Sequence, residues 1–368
     1  MNDPQSYPPV FRRRRQTSNG TIHVDEGGGG GGKPEEAVTT QHKSPPLEAA
    51  VPVIDLERPD VGKLREAGRE WGFFRLVNHG VPEPLLEQLK THAADFFAQP
   101  FDSKQALFSS GGDGTASYFW GTPILNSSGR TLDKSAQEIN WVEAINLPLS
   151  SSQLPATCHH PSLQSFRTLV EEYGKHMGRI SRTVADAMGK LASLECGDYV
   201  SEPTGIIRVY RYPQVPPQQP ADGDGNNNNV VAEQETSPAP LGMQAHTDSS
   251  VVSIVLQDDQ VSGLQFLKND VWVPLEPVPN TLVVNIGDMM QAISDDEFRS
   301  VKHRVKVKKC KEDRISICYF VFPGEGQIME SSKYKPFTYR EFQQQVQEDI
   351  KTLGFKVGLE RFKRTIAG

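Results

Sequence analysis

The stretch Gln244-Ala245-His246-Thr247-Asp248-Ser249-Ser250 sets an imidazole and a carboxylate two residues apart, ahead of an apolar run at 251–256. In a strand, side chains two apart share a face, so His246 and Asp248 can aim at one point. A third donor, His303, opens another strand-like run, Ser300-Val301-Lys302-His303-Arg304-Val305-Lys306-Val307. Two imidazoles and one carboxylate on one face of an octahedron suit iron(II) and leave three positions open for a co-substrate and oxygen. Arg314-Ile315-Ser316 follows. Arg314 and Ser316 again share a strand face. A guanidinium grips a carboxylate through two parallel hydrogen bonds, and a hydroxyl can add a third. The distal carboxylate of 2-oxoglutarate needs such a grip while its keto-acid end chelates iron. Singly, each piece has an ordinary reading. His246 and Asp248 make a polar turn, His303 is a packed strand histidine, and Arg314 is a surface strand residue. The specific signal is their order along one series of short strands.

The residues around them supply those strands. Short β-branched runs fall at 251–256, 264–267, 271–274, 281–286, 303–308 and 315–322, separated by Ser262-Gly263, Asn269-Asp270 and Gly287-Asp288. Such a series predicts a sandwich or jelly roll. Gly205-Ile206-Ile207-Arg208-Val209-Tyr210-Arg211-Tyr212-Pro213 is a further strand. Helical spacing appears at 61–71, from Pro82 through Phe96, and at 162–194. An amphipathic helix is expected at 338–354. Residues 51–56 and 72–80 read as strands, and His79 as a turn histidine. Residues 110–135, rich in Gly and Ser, read as a long loop carrying Tyr118, Phe119 and Trp120. The fold class expected is α+β, a double-stranded β-helix (jelly roll) with flanking N-terminal helices and a C-terminal helix. Residues 1–50, with six glycines at 27–32, read as a disordered extension. Residues 51–200 form an N-terminal helical region, and 201–364 a catalytic jelly-roll region with a flexible insertion at 214–240.

Composition narrows the class. The 368 residues carry 39 Lys plus Arg, 46 Asp plus Glu and a formal charge of −7. That argues against a nucleic-acid or anionic-membrane partner, whose binding face should be basic. No apolar run approaches the ~20 residues that span a bilayer, and the first fifteen residues lack the apolar core of a secretory signal. Cys158, Cys196, Cys310 and Cys318 are scattered and read as reduced thiols of a cytoplasmic protein. The arginines at 12–15 read as a solvated charge run, with nuclear entry left open. Cys158-His159-His160, flanked by prolines, reads as a loop rather than a metal site.

At this point the chain resembles a known family, the plant-type 2-oxoglutarate and iron(II)-dependent dioxygenases, over roughly residues 50–364. The resemblance rests on VPVIDL and EWGFFRLVNHGV in the first half and on HTD, GLQ, NIGD, SVKHRV and RIS in the second. YFWGTP at 118–123, NWVEA at 140–144 and REFQQQVQEDIKTLGFKVGLERF at 340–362 are similar to gibberellin 2-oxidases, the group acting on twenty-carbon gibberellins. The resemblance implies His246, Asp248 and His303 as iron ligands, and Arg314 and Ser316 as the 2-oxoglutarate clamp. It also implies Tyr212 as a co-substrate contact. Tyr210 stands where the family has Asn, and the family's Pro-Cys after the tyrosine is missing. Arg208 and Tyr210 share strand parity with Tyr212 and are the expected substrate contacts, Arg208 as the cation for a carboxylate; Arg211 should face away. The implied reaction couples decarboxylation of 2-oxoglutarate to hydroxylation of a gibberellin-like small molecule by dioxygen, with ascorbate in support. Alternatives are the same chemistry on a flavonoid, an auxin or another terpenoid, an oxidase of this fold without 2-oxoglutarate, and a non-catalytic jelly-roll binding protein.

Overall fold

Val252-Ser253-Ile254-Val255-Leu256-Gln257 carries large apolar side chains on both strand faces, so both faces must be covered. They are, in the computed structural model of the chain. The structure describes residues 3–8, 51–108, 116–121, 140–149, 161–194, 199–200, 205–214, 241–258, 260–307 and 312–365. The expected insertion, the glycine run, Cys158-His159-His160 and the arginines at 12–15 lie outside the described residues, apart from Gln214.

The strands, in chain order, are β1 (Val53–Asp55), β2 (Phe73–Val77), β3 (Ser117–Trp120), β4 (Glu143–Pro148), β5 (Ile206–Tyr212), β6 (Leu241–His246), β7 (Val252–Gln257), β8 (Leu264–Lys268), β9 (Val271–Pro274), β10 (Leu282–Ile286), β11 (His303–Lys306), β12 (Arg314–Val321), β13 (Ile328–Met329) and β14 (Phe337–Thr338). Eight of them form a major sheet in the order β1-β2-β10-β7-β12-β5-β4-β3, and four a minor sheet, β6-β11-β8-β9. All pairings except β1 with β2 are antiparallel. The two sheets face each other as a jelly roll, the double-stranded β-helix expected from the spacing of the runs. The strands of the N-terminal region extend the same major sheet that carries β5, β7, β10 and β12.

Each face of the major sheet has its own core. Outward-pointing Ile207, Val209, Ile254, Leu256, Ile317 and Tyr319 share one cluster with helical residues. Those come from α2 (Glu83–Ala98) and α4 (Pro161–Leu191). Leu85, Leu89, Ala93 and Phe96 of α2, and Phe166, Val170, Met177, Ile180, Val184 and Met188 of α4, are buried at helical spacing. Inward-pointing Phe73, Tyr210, Tyr212, Val283 and Cys318 join Leu264, Phe266 and Val305 of the minor sheet in a second cluster. The site occupies this inner face.

Several elements depart from the expectation. The stretch 61–71 divides into α1 (Val61–Glu66), capped by Asp60 Oδ1 on the Lys63 N–H, and a π-type turn, Ala67–Trp71. Gly72 closes that turn at φ 72, where a side chain would strike the Arg299 carbonyl. Tyr118, Phe119 and Trp120 lie in β3, paired with β4, and not in a loop. The helices α3 (Phe101–Phe108) and α5 (Asp288–Ile293), and strands β4, β13 and β14, were not foreseen. The C-terminal helix α6 (Tyr339–Leu353) is as expected, started by a Thr338–Glu341 capping box and ended by Gly354 at φ 82. Within residues 3–8, expected to be disordered, residues 6–8 are packed. Ser6 and Tyr7 are buried, and Tyr7 lies 5.7 Å from Trp120 and 6.4 Å from Trp141, ring centre to ring centre. One aromatic side chain suffices to dock a short polar segment.

Beneath that segment lies a buried ion network. Glu143 pairs with Lys104 and, at 2.9 Å, with Arg211, which also holds Asp313 at 2.7 Å. Lys104 further donates to the Ser6 carbonyl at 3.0 Å. Arg211 thus points away from the inner face, as its strand parity required.

Candidate active site

The minor sheet brings the two histidines together. β6 ends at His246, β11 begins at His303, and the two residues are direct cross-strand partners. Their rings lie 4.3 Å apart, centre to centre. Asp248 is not on a strand. It sits two residues past the end of β6, in the connection that crosses to β7. Strand parity therefore does not aim it, and other contacts must. Its carbonyl accepts the Asp288 N–H at 2.8 Å, and its Oδ2 accepts Asn285 Nδ2 at 2.8 Å. Gly287, between those two residues, passes so close to the Ser250 carbonyl that no side chain would fit. The free Oδ1 then faces His246 Nε2 at 3.7 Å and His303 Nε2 at 3.6 Å. The three donor atoms lie within 4.8 Å of one another, and among the described residues this is the one such His, Cys, Asp or Glu group.

Tautomer and charge fit a divalent ion. His246 Nδ1 lies 2.8 Å from the Gln244 carbonyl, and His303 Nδ1 lies 3.4 Å from that of Val301. Each ring donates Nδ1–H backwards and keeps an Nε2 lone pair for a metal. Burial, and then the neighbouring His303, bring the His246 imidazolium down to about 4 against the pull of Asp248. Burial opposes ionisation of Asp248. The two histidines and hydrogen bonds from Ser253 and Asn285 outweigh it and bring the carboxyl down to about 2. Near neutral pH the set offers a neutral imidazole at His246 and an ionised carboxylate.

Across the barrel, β12 aligns Arg314 with Tyr212 and Ser316 with Tyr210 on β5. Arg314 is 3% exposed. Its Nη1 reaches Ser316 Oγ and its Nη2 reaches Gln257 Oε1, each at a long 3.3 Å. Nε has no hydrogen-bond partner among the described residues. A buried guanidinium with weak neutral partners and an orphaned N–H is costly unless an anion completes it. The carboxylate of 2-oxoglutarate has the charge and planar geometry to do so. The Tyr212 ring lies 5.2 Å from the guanidinium, and Gly242 leaves it room. Its phenol, held well above the usual range by burial, is a donor to oxygen and not a phenolate.

Beyond it, Arg208 stands among aromatic side chains. Arg208 Nε donates to Asn146 Oδ1 at 2.8 Å, and its guanidinium lies 5.2 Å from the Phe320 ring. Tyr210 stacks on Tyr212 at 6.1 Å and hydrogen-bonds Arg208; burial, tempered by Arg208, pushes its phenol up to about 12. Tyr339, the first residue of α6, stacks on Phe322 at 4.8 Å and lies in the field of Arg208 and Asp248. The structure thus places the eight expected site residues as the His246, Asp248 and His303 group and as side chains of β5 and β12 that contact one another. Gln257, Asn285, Asn146 and Tyr339 join them unforeseen. Strand register signals Gln257, opposite Ser316, and Asn146, opposite Arg208. Nothing local signals Tyr339.

A jelly roll that presents two imidazoles and a carboxylate at its mouth, opposite an uncompensated buried arginine, has the architecture of a mononuclear non-haem iron oxygenase. Comparison with known proteins agrees. Residues 206–323 match the 2OG-Fe(II) oxygenase superfamily, and residues 51–163 match the non-haem dioxygenase in morphine synthesis N-terminal family. The chain is 34% identical over 340 residues to gibberellin 2-beta-dioxygenase 6 of Oryza sativa subsp. japonica, covering 86% of each protein. It is also 34% identical to gibberellin 2-beta-dioxygenase 8 of Arabidopsis thaliana, covering 86% of this chain and 87% of that one. Among solved structures, JOX2 in complex with 2OG, Fe and JA aligns with a TM-score of 0.65 at 25% identity, covering 86% of this chain and 89% of that one. The chain belongs to the 2-oxoglutarate and iron(II)-dependent oxygenase superfamily, in its plant dioxygenase branch resembling gibberellin 2-oxidases. Iron(II) and 2-oxoglutarate are the cofactor and co-substrate by which that superfamily is described, and the donor set and Arg314 fit them. No helix among the described residues is long and apolar enough to cross a membrane.

Proposed function

We propose that the protein is a gibberellin 2-beta-dioxygenase of the twenty-carbon group, acting in the cytoplasm to hydroxylate and so inactivate the hormone. His246, Asp248 and His303 would hold the iron, and Arg314, Ser316 and Tyr212 would hold 2-oxoglutarate. Together, when bound, the two would supply the oxidising power for hydroxylation. The remaining work belongs to the chain. Arg314, held only by long bonds to Ser316 and Gln257, would form a charge-assisted pair with the distal carboxylate. Asn285 keeps the Asp248 carboxylate turned towards the histidines. Tyr210, Phe320 and Tyr339 surround Arg208 with aromatic rings, an apolar setting suited to a small-molecule substrate.

The observation that carries the substrate reading is Arg208, a cation among the aromatic rings of Phe320, Tyr210 and Tyr339, held in place by Asn146 at 2.8 Å. A gibberellin is an apolar skeleton bearing a carboxylate, and that setting is its complement. The same setting also suits an apolar acid such as an auxin. Structural likeness to dioxygenase for auxin oxidation 1 of Arabidopsis thaliana, at 27% identity and a TM-score of 0.59, keeps that second reading in view. The test is succinate release by the purified protein with iron(II), ascorbate and 2-oxoglutarate. It would be run with a twenty-carbon gibberellin, a nineteen-carbon gibberellin, an auxin and a flavonoid. Stimulation by the twenty-carbon gibberellin above the others is expected. Stimulation by the auxin or the flavonoid alone would overturn the substrate assignment while leaving the chemistry intact.

A further inference from the structure

Asp248 is the one metal-ligand candidate outside the regular strands, so something must hold its loop. Its neighbours Thr247 and Ser249 are both tied to a single side chain. Lys356 Nζ donates to the Thr247 carbonyl at 2.9 Å and to Ser249 Oγ at 2.9 Å. It also pairs with Asp288 Oδ2 at 2.6 Å. These three contacts use all three ammonium protons. The Lys356 side chain is only 15% exposed, and its ammonium lies 5.5 Å from the centre of the Phe342 ring.

Asp288 closes the arrangement. It is buried, its N–H donates to the Asp248 carbonyl at 2.8 Å, and its Oδ2 accepts Thr247 Oγ1 at 3.3 Å. Residues 247, 248 and 249 are therefore each bonded to the Lys356–Asp288 pair. Lys356 comes from the segment after α6, more than a hundred residues away in the chain, and no ligand motif includes it. The ammonium does two things at once. It neutralises a buried carboxylate beside the donor set, and it ties the backbone before Asp248 and the Ser249 hydroxyl after it.

We propose that Lys356 is a positioning residue for the iron site: it clamps the C-terminal segment onto the 247–249 loop and sets Asp248 at ligating distance from His246 and His303. The inference rests on the metal-site reading given above. Groups that orient metal ligands from behind typically change metal affinity by about 10–100-fold when removed. Lysine suits this task better than arginine, because a compact ammonium can meet three converging acceptors and a planar fork cannot.

The test is titration of the metal-free, full-length protein with Co(II) under anaerobic conditions, read by visible absorption. Lys356→Met should bind Co(II) about 10–100-fold more weakly than the unaltered protein, with an altered band shape. Lys356→Arg should fall between the two. Arg361→Met is the control. Arg361 anchors the same C-terminal segment to Asp349 at 2.8 Å but does not touch the loop, so it should leave Co(II) affinity unchanged. Circular dichroism and melting of each metal-free variant establish folding, and Lys356→Arg carries the comparison if Lys356→Met does not fold. Unchanged Co(II) affinity and spectrum in the folded Lys356 variant would overturn the proposal. So would an equal loss in Arg361→Met, which would reduce Lys356 to a general anchor of the C-terminus. Failure of the unaltered protein to bind Co(II), or binding that survives His303→Ala, would overturn the metal-site reading itself and is distinct from either result.

Discussion

Replacing Arg314 with Met separates binding from stability. In the structure the guanidinium is buried, has no carboxylate partner among the described residues, and leaves Nε unbonded. Its two neutral bonds, each 3.3 Å, offset little of the cost of burying the charge. Methionine fills a similar volume without that cost, so the metal-free protein should melt no lower than the unaltered one. Binding of 2-oxoglutarate should suffer heavily. A bidentate grip comprises two charge-assisted hydrogen bonds of about 1.5–3 kcal/mol each, so its loss weakens affinity by roughly 100-fold or more. At a ligand concentration 100 times the dissociation constant, the unaltered protein gains about 2.7 kcal/mol from the ligand, and a variant weakened 100-fold gains only about 0.4. At about 2 °C per kcal/mol for a chain of this size, the upward shift in melting temperature should drop from about 5 °C to below 1 °C. The assay is thermal unfolding in the presence of Mn(II), with and without 2-oxoglutarate. A variant that keeps the full ligand-induced shift would show that the co-substrate is not held by Arg314. A variant that melts far lower without ligand would show the arginine to be structural.

Three further outcomes are expected. His303→Ala should abolish iron-dependent turnover and weaken Co(II) binding at least 100-fold while leaving the fold intact by circular dichroism; full activity would remove His303 from the ligand set. Arg208→Met should raise the KM for a carboxylated substrate about 10–100-fold, as expected for one charge-assisted pair, with the 2-oxoglutarate KM unchanged; an equal rise in both would place Arg208 away from the substrate. Glu143→Gln leaves Lys104 and Arg211 buried with one carboxylate fewer, and breaking such a pair costs about 3–5 kcal/mol, measurable by urea unfolding; a loss below about 1 kcal/mol would show the network to be dispensable.

The donor set was legible in the sequence because its residue types are rare inside strands and their order is unusual. The jelly roll was legible because β-branched runs and turn pairs alternate through the second half. What stayed hidden has physical causes. β4 and α3 carry Glu143 and Lys104 inside their buried faces, and Arg211 does the same in β5. A charge paired across the fold breaks the apolar pattern by which a buried element is read. The sequence groups Asp248 with His246 by strand parity, and the structure brings the two together by other means. Its parity with His246 is not that of a strand, and its aim comes from Asn285, Asp288 and Lys356, which are distant in sequence. Tyr339 escaped because the first residue of a helix belongs to no periodic stripe. Residues 3–8 were read by the composition of the whole N-terminal stretch, which concealed the one aromatic side chain that docks them.

The most direct measurement is the fate of labelled dioxygen. The purified protein, loaded with iron(II) and given 2-oxoglutarate and a twenty-carbon gibberellin, would be run under ¹⁸O₂, with product and succinate analysed by mass. The expectation is one labelled oxygen in the gibberellin, on carbon 2, one in succinate, and equal amounts of the two products. Hydroxyl oxygen derived wholly from water, or a gibberellin product formed without 2-oxoglutarate, would contradict it.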